Sequence, residues 1–160
     1  MRTVNNYIYF LSGILGNWYK STIIYDNKKF FSSEQLFMYL KAICFNDEYI
    51  AIEILNCKTS RESKNLGRQI KNFDNKIWEQ KRENAMYIAC LEKFKQNYDQ
   101  REFLLSTEDK ILVEGNKVDN IWAVGLHFDD PLIEDEKNWL GLNLLGKSLM
   151  EVREHLKKLK

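Results

Sequence analysis

The stretch SSEQLFMYLKAICF, residues 32–45, limits the possible folds of this chain more than any other segment. Phe37, Leu40 and Cys44 recur at i, i+3 and i+7, which predicts a helix with that stripe turned inward. Ser32 is a good N-cap, and Gln35 three positions later completes a capping box. Two charged residues interrupt the apolar side. Glu34 precedes Phe37 by three residues and Lys41 follows Leu40, so the two lie on nearly the same face, about 10 Å apart along the axis. Lys41 could run its stem along the stripe and carry its ammonium to water, with Glu34 merely favouring the helix N-terminus. Alternatively the pair is a site. A partly desolvated lysine has a lowered pKa and can act as a nucleophile, and a nearby carboxylate can move protons.

The surrounding pattern is mostly helical with a small strand component. YIYFL (7–11) and STIIY (21–25) read as strands, and the Asp-Asn pair at 26–27 turns the second into KKFF. DEYIAIEIL (47–55) reads as a second helix and SRESKNLGRQI (60–70) as a third, broken near Gly67. A long helix runs from a cap at Asp74 to about Tyr98, and KILVEG (110–115) alternates as a strand does. An Asp- and Glu-rich loop (129–136) precedes the last helix, where Leu145, Leu149, Val152, Leu156 and Leu159 recur at helical spacing. With one proline (Pro131), no repeats and no linker, the expectation is a single α+β, mainly α-helical domain over residues 1–160.

Composition narrows the chemistry only a little. A net charge of +1 gives no bulk attraction to nucleic acid or anionic membrane, although a local patch could supply it. Cys44, Cys57 and Cys90 are well separated and odd in number, so each is expected to be a small buried thiol in a reducing cytoplasm. His127 and His155 are too few and too far apart for a zinc site. No signal peptide and no transmembrane run are visible, so no membrane role is expected.

Other polar residues share the ambiguity of Glu34 and Lys41. Arg82 lies between Trp78 and Met86 at i, i+4 spacing, facing inward or covering Trp78. KNLGRQ sets Arg68 beside Gly67, either a phosphate-binding corner or a solvated helix end. Asp119 precedes Trp122 by three residues in an apolar segment, where an aspartate is most often a cap. Asn143 sits near a helix N-terminus, where backbone N–H groups can hold an anion.

Taken together, LGNWYKS, FFSSEQLFMYLKA, KNLGRQIKNFDNKIWEQKRENAM, KFKQN, LLST, LVEG, DNIWAVGL and WLGLNLLGKSLMEVR resemble the NADAR family in content and order, over residues 8 to 157. That family includes N-glycosidases of riboflavin-synthesis intermediates and glycohydrolases that remove ADP-ribose from guanine. Three positions depart from its pattern. Gln35 stands where many members carry histidine, Ala123 replaces a glycine after Trp122, and EGN (114–116) replaces a commoner Glu-Ala-Ser.

The resemblance implies an N-glycosidase. In this role Lys41 attacks the anomeric carbon of a ring-opened ribose as a Schiff-base nucleophile, Glu34 transfers protons, and Asp119 orients ribose hydroxyls or assists. It implies substrate contacts from Asn17, Trp18, Gly67, Arg68, Trp78, Arg82, Trp122 and Asn143, with tryptophans on the base and arginines on phosphate. No metal or organic cofactor is expected. The partner would be a nucleotide-like small molecule or ADP-ribosylated nucleic acid, with guanine the leading base and a phosphoribosylamino-pyrimidine the alternative. A non-catalytic binder of ADP-ribose-like ligands is the other class.

Overall fold

Two turns with left-handed backbone shape the start of the chain. Asn5 takes φ 51°, and β1 (Arg2–Val4) folds back antiparallel on β2 (Tyr7–Phe10). Asp26 and Asn27 take φ 48° and 56° between β3 (Ile23–Tyr25) and β4 (Lys28–Phe30). Asn and Asp tolerate this region better than most residues with a Cβ, so the second hairpin is legible in the sequence. β1 is not, because its three residues are too few for an alternation to register. A computed structural model of the chain describes residues 1–159, which form two compact units: Asn17–Tyr98, and Met1–Gly16 joined to the segment from Asp99 onward.

The first of these units is built around α1 (Ser33–Cys44). The Ser32 hydroxyl accepts the Gln35 N–H at 3.2 Å, as a cap should. The return arm is displaced by one residue, because the Gln35 side-chain oxygen accepts the Phe31 N–H at 2.8 Å. α1 is buried without a break from Ser33 to Tyr39. The inward stripe is thus broader than its periodicity suggests at this end and weaker at the other, where Leu40 and Cys44 are only half-buried. α2 (Glu48–Asn56), α3 (Ser60–Gly67) and α4 (Asn75–Gln96) all pack on it. A Cβ on Gly67 would sit 2.2 Å from the Met38 sulfur, so glycine is what lets the end of α3 approach α1. Asp74 caps α4 as expected, but the helix ends at Gln96. Asn97 leaves helical backbone, and Tyr98 starts a further helix, α5 (Tyr98–Ser106), which the sequence reading did not include.

In the other unit β5 (Ile111–Glu114) pairs parallel with β2, giving the order β1-β2-β5. α6 (Leu144–Lys157) packs on β5. Leu145, Leu149, Val152 and Leu156 are buried, whereas Leu159 lies beyond the helix and is 63% exposed, so it does not belong to the stripe. The acidic loop carries two short 3-10 helices, Pro131–Glu134 and Glu136–Asn138. Cys90 is buried, while Cys44 and Cys57 are only half-buried, contrary to expectation. Cys57 Sγ lies 3.0 Å from the Ser63 hydroxyl, a polar contact that a purely apolar reading of a thiol omits. The fold class is α+β, mainly α-helical, with a few short strands.

Gly146 sets how closely α6 approaches β5, since its Cβ would lie 2.1 Å from the Leu112 carbonyl oxygen. That oxygen is backbone and cannot rotate away. Gly146→Ala should therefore lower the unfolding free energy by about 1–3 kcal/mol, measured by urea denaturation. An unchanged midpoint would show that α6 can slide without cost.

Candidate active site

Lys41 lies in the last turn of α1, and its Nζ donates to the Gly67 carbonyl at 2.9 Å. The ammonium stands 4.6 Å from the Phe73 ring centroid and 5.8 Å from that of Trp78. It is half-buried. Burial holds its pKa below the usual lysine value, and the positive charge of Arg68 pushes the same way; Glu34 opposes both. Glu34 and Arg68 are thus close enough to be felt at Lys41, and for Glu34 helical phase predicts the shared face. Glu34 is 7% exposed and sits in the first turn, where the helix dipole favours a carboxylate.

Trp78, Asn17, Arg82 and Trp18 belong to the same unit. Trp78 is buried and tilts against Phe37 (5.4 Å between centroids) and Phe45 (6.4 Å), so its ring belongs to an aromatic wall. Asn17 is buried and its backbone carbonyl accepts the Glu34 N–H at 3.1 Å. Its side-chain oxygen accepts the Ser33 hydroxyl at 3.0 Å, and its amide donates to the Met86 sulfur at 3.2 Å. Asn17 therefore positions the start of α1. Arg68 is exposed just beyond α3. Arg82 is half-buried on α4, and its enclosed Nε meets no hydrogen-bond partner among the described residues. An enclosed donor of this kind costs free energy unless a ligand or water takes it. Trp18 is 49% exposed and lines a different cavity of the same unit, described below.

Asp119, Trp122 and Asn143 belong to the other unit. The Asp119 carboxylate oxygen Oδ1 accepts the N–H groups of Ile121 (2.9 Å) and Trp122 (2.8 Å), closing the turn between them. Asn143 is itself in the left-handed region (φ 53°) and is buried. Its amide bridges β5, accepting from Glu114 N–H at 3.0 Å and donating to the Leu112 carbonyl at 2.9 Å. Both side chains thus carry a local structural task. Among the described residues no group of three or more His, Cys, Asp or Glu is placed to hold a metal ion, and no helix is long and apolar enough to cross a membrane.

Two features of this unit escaped the sequence reading. Phe73, 44% exposed, supplies the ring nearest the Lys41 ammonium. Lys93 is 1% exposed on α4, with its ammonium 5.7 Å from the Tyr19 ring and 4.9 Å from that of Phe94. Burial pulls its pKa down to about 8, against a smaller opposing effect from Cys90. The signal was present: Lys93 stands three, four and seven positions after the inward residues Cys90, Ala89 and Met86.

The NADAR domain family matches residues 9–157, and the chain belongs to it. The Caenorhabditis elegans protein irg-1 is 46% identical over 130 residues, covering 80% of this chain and 61% of its own length. N-glycosidase R617 of Acanthamoeba polyphaga mimivirus is 36% identical over 126 residues, 79% of this chain and 74% of that protein. The NMR structure of the E. coli protein YbiA superposes with a TM-score of 0.79 at 30% identity, covering 99% of this chain and 90% of that one.

The buried Lys93 ammonium makes a testable contribution to stability. Its folded pKa of about 8 lies below its ordinary 10.5, so the unfolded chain holds more protons between those values. Stability must then rise with pH across that window, and the penalty is fully present below about pH 8. Relative to Lys93→Met, the native protein should gain on the order of 3 kcal/mol from pH 8 to 10.5 in chemical denaturation. A pH-independent difference would mean that Lys93 is not desolvated in solution.

Proposed function

We propose that the chain is an N-glycosidase that hydrolyses the bond between ribose C1 and an amine or base nitrogen, with ADP-ribosylated guanine the leading substrate. The observation that carries this reading is the Lys41 ammonium, half-buried, held below its ordinary pKa, and felt by one carboxylate, Glu34. The relatives named N-glycosidase support the same class of reaction.

The chemistry is a transimination. The glycosidic nitrogen pushes open the ribose ring, C1–O4 breaks, and Glu34 delivers a proton to O4. Neutral Lys41 adds its lone pair to C1 and loses a proton to the Glu34 carboxylate. Glu34 passes that proton to the base nitrogen, the C1–N bond to the base breaks, and a protonated C1=N bond to Lys41 remains. Water adds to that carbon, the C–N bond to Lys41 breaks, and the sugar aldehyde closes again as a hemiacetal. The net change is one water consumed per glycosidic bond broken. Arg68 and the enclosed Nε of Arg82 would receive the phosphates, because charge-assisted bonds are the strong ones.

Lys41→Arg keeps the positive charge but cannot form the imine, so it should abolish turnover with the fold intact. Borohydride added during turnover should fix the sugar fragment on Lys41, read by peptide mapping. Mass spectrometry of products from ADP-ribosylated guanosine and, separately, a phosphoribosylamino-pyrimidine decides the leaving group. Binding of ADP-ribose without cleavage of either would reduce the chain to a binding module. Substantial activity in Lys41→Arg with no adduct would instead assign the cleavage to direct attack by water.

Arg68 tests the electrostatics of the same site. The kcat/KM profile should rise with pH as Lys41 loses its proton, at a pH below the ordinary 10.5. Arg68→Ala removes one of the influences that lower this pKa, so the rise should move to higher pH. The same variant should weaken a phosphorylated ligand about tenfold or more. An unshifted profile together with unchanged affinity would return Arg68 to the solvated surface.

A further inference from the structure

On the flank of α1 that carries Gln35, roughly 100° round the helix from Glu34, a cavity of about 530 Å³ opens. None of Glu34, Lys41, Gly67, Arg68, Trp78 and Arg82 lines it, so it is not the site already described. Its walls come from Trp18 and Lys20, from the end of β4 with Lys29 and Phe31, and from the segment between α2 and α3 with Lys58.

We infer that this cavity is a second ligand site, and that it takes a nucleotide, with its base against Trp18 and its phosphate among Lys20, Lys29 and Lys58. The volume is that of a small-molecule site, about 300–1,000 Å³ being usual. Three lysines line it and, among the described residues, no carboxylate does. Glu62, the nearest acid on α3, turns its carboxylate to the backbone N–H groups of Lys58 (2.6 Å) and Thr59 (3.2 Å). Such a lining repels cations and attracts anions. Trp18, exposed over about half its surface (49%), offers an indole to a planar ring, as aromatic platforms for nucleic-acid bases do. A bare anion would use the lysines alone and leave that ring without a purpose.

The floor is rigid. Gln35 is 1% exposed, and its amide accepts from Phe31 N–H at 2.8 Å and donates to the Ile54 carbonyl at 2.9 Å. One side chain therefore ties α1, the end of β4 and α2 together, so the walls are set before any ligand arrives. The site does not depend on the reaction proposed at Lys41. The same chemistry is offered by a free nucleotide and by one nucleotide unit of a single strand.

Isothermal titration of the full chain at low salt separates these cases. AMP should bind, and ribose 5-phosphate, which lacks the base, should bind about tenfold more weakly. Lys29→Glu with Lys58→Glu should lower AMP affinity at least tenfold, and Trp18→Ala about tenfold, with unchanged thermal midpoints because all three side chains are exposed. A hexathymidylate that binds more tightly than AMP and depends on the same lysines identifies a strand as the source. One that binds more weakly identifies the free nucleotide. The inference is overturned if AMP does not bind, if pyrophosphate binds as well as AMP, or if AMP affinity falls with Arg68→Ala and not with the lysine reversals.

Discussion

The burial of α1 is the constraint on which the Asn17–Tyr98 unit depends. Seven successive residues, Ser33 to Tyr39, are buried, and three helices pack on the one that carries them. A helix enclosed to that degree must account for every charge it holds. α1 has Glu34 in its first turn and Lys41 in its last, so each lies at the end whose dipole suits it. The dipole and Glu34 both favour a charged Lys41. Desolvation, with Arg68 assisting, outweighs Glu34 and lowers the pKa all the same. In the proposed reaction this opposition would favour a neutral lysine while keeping near it the carboxylate proposed to exchange protons with it.

The geometry of that opposition depends on parts that have no charge. Asn17 fixes the N-terminus of α1 through the Glu34 N–H and the Ser33 hydroxyl. Gly67 brings α3 against Met38 and presents the carbonyl that receives the Lys41 ammonium. One residue later, Arg68 emerges at the same corner. The close approach permitted by a missing Cβ thus places both a hydrogen-bond acceptor and a positive charge near the same amine.

Much of this was legible in the sequence because it is local. Ser32, Asp74 and the break at Gly67 announce helix ends through cap chemistry, and the seven-residue spacing of Glu34 and Lys41 follows from helical phase alone. What depends on tertiary contact was not. Nothing in the residues around Phe73 says that its ring will lie against an ammonium on α1. The capping-box pattern at Gln35 suggested a purely local role, whereas its amide also reaches across to Ile54. Trp18, Trp78 and Trp122 look alike in the sequence, yet Trp78 sits in an aromatic wall, Trp18 is half exposed beside a basic cavity, and Trp122 follows the Asp119 turn. The end of α4 was read within two residues, but α5 was missed because only Gln100 and Leu104 of its nine residues are buried, too few to register as a helical stripe.

Two lysines in the Asn17–Tyr98 unit have lowered pKa values, but they differ in access. Burial brings the Lys93 pKa down to about 8, which leaves about a tenth of it neutral at pH 7. On proton chemistry alone it would be the better amine. Yet it is 1% exposed, and its ammonium lies between the rings of Tyr19 and Phe94. An attacking nitrogen must come within about 3–3.5 Å of the reacting carbon. A sugar could reach Lys93 only if those rings moved. Lys41 is half-buried, so it keeps an open side, and the exposed Arg68 is close enough to act on its charge. Covalent chemistry at an amine needs both desolvation and access. Complete burial secures the first by removing the second, and the intermediate burial of Lys41 is what leaves room for both.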